Sequence, residues 1–196
     1  MKRDRLHKIT VAAILSAVST VLMFISFSVP IAPSYLKIDF SDLPALLSSY
    51  ALGPFWGVAV ALVKNAVNVL FTTTGGVGEL SNFLLSSLFV LPAGFIYNKN
   101  RTRKNALIGA LAGILVSTVL SYFTNTFLVY PAYVKIIPID AIIGMSKAIL
   151  PSVDTVSDVI LFFNVPFTFV KAALNTVLAF LLYKRLSPIL RTGKNK

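Results

Sequence analysis

Asn164, Thr168, Lys171 and Asn175 recur at intervals of three and four residues inside the apolar stretch NVPFTFVKAALN. On a helix such positions share one face. An ammonium and several amides at membrane depth would suit a neutral, polyfunctional ligand. A lysine near the centre of a membrane helix costs about 2.5–3.5 kcal/mol on insertion scales. A single interhelical hydrogen bond returns only about 0.6 kcal/mol. Lys171 sits about 16 Å from the outer end of its span at the helical rise, too deep to reach water easily. It is therefore expected to meet a ligand or a buried partner, with Asn164 nearer the outer side. Asn175, one turn deeper, reads as a polar contact between helices.

Three further stripes accompany this one. Ser117, Ser121, Thr124, Asn125 and Leu128 share a face, as do Glu79, Asn82, Ser86 and Val90, and as do Lys64, Asn65, Asn68 and Thr72. Polar groups in membrane helices face a bundle interior or a water-filled cavity, although isolated serines serve equally well as contacts between helices. Lys64 either meets the ligand or pairs with a carbonyl or with Glu79. Tyr122, Phe123, Phe127 and Tyr130 form either an interfacial belt or a stacking surface for a planar ligand. Amides, one ammonium and aromatic walls suit a neutral planar solute better than a bare ion.

Several chemistries are excluded. No phosphate-binding G-x-x-x-x-G-K-[ST] loop occurs, and TTGGVGEL lacks the lysine. There is no H-E-x-x-H zinc motif and no G-x-S-x-G elbow. His7 is the only histidine, and cysteine is absent. No catalytic residue, metal site or cofactor is expected, and any energy for active transport must come from elsewhere.

The elements that position these stripes are legible from composition. Of 196 residues, 56% are hydrophobic and 13% charged, against roughly a quarter charged in soluble domains. The expectation is an all-α polytopic membrane protein, a single membrane domain over 1–196. A β-barrel would show short alternating segments, which are missing. The net charge of +11 gathers in three clusters, at Lys2–Lys8, Lys99–Lys104 and Lys184–Lys196. These clusters flank apolar spans, as cytoplasmic positive charge does. They carry no interleaved aromatic residues, so nucleic acid is not an expected partner.

Clear spans cover 9–29, 79–98, 105–131 and 160–184. The stretch 42–73 is interrupted at Gly53-Pro54 and must cross an even number of times if the first two basic clusters lie on one side. Two short helices, 42–53 and 54–73, meet that condition. The result is six helices with both termini cytoplasmic. Outside lie a capping loop, 30–41, with the alternation of an extended lid, and a loop, 132–159, in which DAIIGMSKAIL reads as an amphipathic surface helix. The first apolar run is too long for a signal-peptide core. No internal repeat of the kind seen in many carriers is found. Ala13-x-x-x-Ala17 and Gly109-x-x-x-Gly113 permit close helix approach.

The stretches LKIDFSDLPALLSSYALGPFWGVAVALVKNAVNVL (36–70), GVGELSNFLLSSLFVLPAGFIY (76–97) and NVPFTFVKAALNTVLAFLLYKRLSP (164–188) resemble the substrate-binding S components of energy-coupling factor (ECF) vitamin transporters, of the riboflavin type. The combination K-x-D-F-S-D-x-P, G-P, K-N and G-E-x-x-N-F carries the resemblance. It implies a six-helix bundle in the cell membrane that binds riboflavin from outside as a transported ligand. It also implies as partners a transmembrane coupling protein and two cytoplasmic ATPases. The implied pocket residues are Asn125, Asn164 and Lys171, with Lys37, Asp39 and Phe40 in the capping loop. Asn82, Tyr130 and Thr168 are further candidates from the stripes, and Ala13 and Ala17 would dock the coupling protein. Other readings are an S component for another vitamin, a self-sufficient carrier or channel, and a membrane subunit without transport.

Overall fold

A computed structural model describes residues 2–190, with side chains from 4 to 182. The basic groups Lys2, Arg3, Lys184, Arg185, Arg191, Lys194 and Lys196 lie outside the described side chains. The chain runs α1 (Lys2–Phe24), β1 (Phe27–Ser28), β2 (Lys37–Ile38), α2 (Asp42–Ala51), α3 (Pro54–Asn68), α4 (Val77–Lys99), α5 (Arg103–Thr124), α6 (Tyr130–Tyr133), α7 (Ile139–Lys147), α8 (Val156–Val159) and α9 (Val165–Leu190).

Helix α1 stops at Phe24 rather than continuing to Val29. Pro30 lacks an N–H and pushes the preceding residue toward extended backbone. The chain then pairs β1 with β2 antiparallel, Phe27 opposite Ile38 and Ser28 opposite Lys37. The capping segment is thus a small hairpin, in keeping with its alternating sequence.

Helices α2 and α3 form the hairpin expected of residues 42–73. Gly53 at the break has φ 120°, where a side chain would be strained, and Pro54 opens α3 at a position that suits it. With ten residues, α2 is only about 15 Å long, half the hydrocarbon thickness. Among the described residues, five segments are long and apolar enough to cross: Asp4–Phe24, Pro54–Phe71, Val77–Lys99, Arg103–Tyr133 and Val156–Leu182. The bundle therefore consists of five long helices around a short one. Residues Asp42 to Tyr50 of α2 are all buried, because α1, α3, α4 and α9 pack around it.

Small residues set the tightest crossing. A Cβ on Gly109 of α5 would stand 2.6 Å from the carbonyl oxygen of Ala93 in α4, and one on Gly113 would collide with the Phe89 carbonyl. Polar links reinforce the interior: Ser49 donates to the Val90 carbonyl at 2.7 Å and Tyr50 to that of Ala106 at 2.8 Å. Leu107, Leu111, Leu115 and Val119 form an exposed apolar stripe along α5, suited to lipid. Helix α7 occupies the expected amphipathic piece and turns Ile142 and Ser146 inward.

Two turns depart from regular α-helix. Asn125–Val129 and Ile160–Asn164 are π-helical, joining α5 to α6 and α8 to α9. Helical periodicity cannot reveal such turns, and the first shifts the expected stripe. Leu128 is 55% exposed, while Val129 takes the inward position.

Candidate functional site

The capping hairpin and the adjoining ends of α1, α3, α4, α5 and α9 line a cavity of about 560 Å³. That is a volume typical of small-molecule sites. Its apolar walls include Phe24, Phe71, Phe89 and Phe167. Its polar groups come from each of the stripes read in the sequence.

Asn125 opens one π turn and Asn164 closes the other. Single π turns frequently mark functional sites, and here each presents an asparagine to the cavity. The Asn164 Nδ2 donates to Asn125 Oδ1 at 3.2 Å, and Tyr130 donates to Asn164 Oδ1 at 3.1 Å. Tyr35 of the capping loop lies 3.3 Å from the Tyr130 hydroxyl. Burial pushes the Tyr35 phenol above its usual pKa, against the smaller opposing effect of its hydrogen bonds, so it stays a neutral donor.

Lys171 reaches the cavity from α9. Its ammonium donates to Asp39 Oδ2 at 2.8 Å and to Asn82 Oδ1 at 3.3 Å. A closed ring of contacts continues from there. Ser41 donates to Asp39 through its backbone N–H at 2.9 Å and its hydroxyl at 2.5 Å. Lys64 donates to the Ser41 hydroxyl at 2.7 Å and to Asp42 at 2.5 Å. The Ser86 hydroxyl donates to Asp42 and lies 3.2 Å from Asn82 Oδ1, which returns the ring to Lys171. Two further groups hold the backbone of this DFSD segment. Ser19 of α1 donates to the Ser41 carbonyl, and Asn175 donates to the Asp39 carbonyl at 3.1 Å. Paired and hydrogen-bonded charges are the tolerable form of charge in such an interior.

The cavity gathers Lys37, Asp39, Asn82, Asn125, Asn164, Thr168 and Lys171 of the expected site. The Thr168 hydroxyl spends its hydrogen on the Asn164 carbonyl at 2.8 Å. Two expected residues do not line the cavity. Phe40 turns toward Phe27 of β1, ring centroids 6.3 Å apart, because the hairpin brings β1 beside it. Tyr130 stands behind Asn164 and orients it rather than lining the space. Of the expected aromatic group, Phe123 and Phe127 are 51% and 69% exposed, on the side suited to lipid. Lys64 pairs with Asp42 and not with Glu79 or a carbonyl, and it lies outside the cavity lining.

Three cavity groups were not among the expected site residues, although Glu79 belongs to the stripe read on α4. Glu79 lines the cavity and accepts from Thr72 at 2.8 Å and Thr74 at 3.2 Å. Tyr133 lines it from α6 and Asp42 from α2. The i, i+3 spacing of Glu79 and Asn82 was the available signal for the first. Ala13 and Ala17 are exposed on α1, while Ala12, Ser16 and Ser19 face inward.

Comparison with known proteins agrees with the helical fold. A riboflavin transporter RibU of Staphylococcus aureus (strain TCH60) is 36% identical over 91% of this chain and 89% of its own. A riboflavin transporter FmnP of Bacillus subtilis (strain 168) is 30% identical over 94% of each. A solved S component of a bacterial ECF transporter superposes with a TM-score of 0.75 at 34% identity, covering 95% of this chain and 99% of that one. Residues 7–183 match the family described as ECF transporter, substrate-specific component. With most of its length matched by that family model, this chain belongs to the family of ECF transporter substrate-specific components.

Proposed function

We propose that this chain is a multi-pass protein of the cell membrane that captures riboflavin from outside. It passes the vitamin inward with a transmembrane coupling protein and two cytoplasmic ATPases. The observation that carries the substrate is the buried set Asn125, Asn164 and Lys171 in one apolar-walled cavity. An isoalloxazine ring has an apolar face for the phenylalanines and an edge of carbonyls and ring nitrogens for the amides and the ammonium. Asp39 balances the charge of Lys171, so the site suits an uncharged ring rather than an anion. The names of the similar transporters support the same choice. Both termini lie in the cytoplasm on this reading, with the short α2 and the full-length α3 counted as the two crossings between the first two basic clusters.

Titration of the purified chain in detergent with riboflavin, followed by quenching of flavin fluorescence, is the test. Saturation at nanomolar concentration is expected, and absence of quenching would sink the substrate assignment. Proteoliposomes carrying this chain alone should accumulate no riboflavin; accumulation there would favour a self-sufficient carrier.

A further inference from the structure

Among the charged groups that line the cavity, Glu79 differs in how it is balanced. Asp39 is matched by Lys171 at 2.8 Å and Asp42 by Lys64 at 2.5 Å. Lys37 is exposed to solvent. Glu79 is only 8% exposed, and no cation pairs with it among the described ion pairs. A buried carboxylate without a cation needs hydrogen bonds from somewhere. Both donors it receives, Thr72 and Thr74, fall on Oε2, so Oε1 has no protein donor among the described bonds. These threonines are themselves fixed. The Thr72 hydroxyl oxygen accepts from the backbone N–H groups of Thr74 and Gly76, and that of Thr74 accepts from Gly78, each at 3.1 Å. The turn that makes this possible carries positive φ at Gly75 and Gly76.

We infer that Glu79 recognises the hydroxylated chain of the ligand and disfavours its phosphate ester, a conclusion that rests on the flavin reading of the cavity. A carboxylate is an acceptor only. It can take hydrogen bonds from the hydroxyls of a polyol but not from a phosphate, whose charge it repels at close range in a poorly solvated cavity. Glu79 stands three residues before Asn82 on α4, about 4.5 Å along the axis, and Asn82 touches Lys171. The ring-binding end and the polyol end therefore share one helix face. A first-turn carboxylate also stabilises its own helix. That role would influence every ligand equally, which makes selectivity the decisive readout.

The test compares riboflavin, lumiflavin (the same ring with a methyl in place of the ribityl chain) and flavin mononucleotide, titrated against wild type and Glu79→Gln. A hydrogen bond to a charged group corresponds to a change of about tenfold or more in affinity. Glu79→Gln should weaken riboflavin by about that factor, leave lumiflavin within about twofold, and bring the mononucleotide closer to riboflavin. Equal weakening of all three ligands, or unchanged selectivity, would overturn the inference while leaving riboflavin binding by wild type intact. Absence of any flavin binding by wild type would instead overturn the reading beneath it. If Glu79→Gln fails to fold, Glu79→Asp gives the same comparison. It withdraws the carboxylate by one methylene, and riboflavin should suffer more than lumiflavin.

Discussion

Lys171 and Asp39 are held together where neither would be tolerated alone. Removing one member of a buried ion pair strands the other, at about 3–5 kcal/mol. Lys171→Met should therefore lower the thermal stability of the purified protein as well as its flavin affinity. Adding Asp39→Asn removes the stranded charge, so the double variant should regain most of the stability but not the affinity. Unfolding followed in detergent beside flavin titration separates the two effects; recovery of affinity in the double variant would show that Lys171 does not meet the ligand. Asn175 has a part the stripe alone did not disclose. Its amide holds the Asp39 carbonyl, so it anchors the capping segment rather than linking two helices.

At the scale of elements, the crossing of α4 and α5 depends on the missing side chains of Gly109 and Gly113. Gly113→Val would drive a branched side chain into the Phe89 carbonyl and should cost about 1–3 kcal/mol as an overpacked contact. A melting point equal to wild type would refute that. The long apolar helices, the Gly53-Pro54 break and the outward α7 were all legible, because each is written in a continuous local pattern. The capping hairpin was legible as alternation, but α1 ends earlier than its apolar run, where residues 27–28 pair with 37–38 instead. The π turns were not legible, because widening a turn changes no residue type. Of the site, the residues on stripes were found and their partners were not. Asp39 and Lys171 are 132 positions apart, and no period connects them. Phe40 and Tyr130 carry the right chemistry for a pocket but are turned aside, by the hairpin and by the Asn164 amide respectively.

For the whole molecule, the apolar outer faces of α1 and α5 differ in character. Helix α5 presents leucines and a valine, whereas α1 exposes Ala13 and Ala17 between Ile14, Val18 and Val21. On the proposed function the flat alanine face receives the coupling protein. Ala13→Leu with Ala17→Leu should abolish cellular riboflavin uptake while leaving flavin affinity of the purified chain within about twofold, since both side chains lie outside the cavity and small faces serve close packing. Normal uptake would refute the assignment. The two buried ion pairs also impose an order on biogenesis. Asp42 and Lys64 are 22 positions apart, within one hairpin, so each can neutralise the other as soon as α3 is made. Asp39 receives Ser41 early but must wait for α9 to deliver its ion-pair partner, Lys171. The anchor of the capping segment is thus completed last during synthesis, and a chain truncated before α9 would display an unmatched carboxylate to the machinery that inspects nascent membrane proteins.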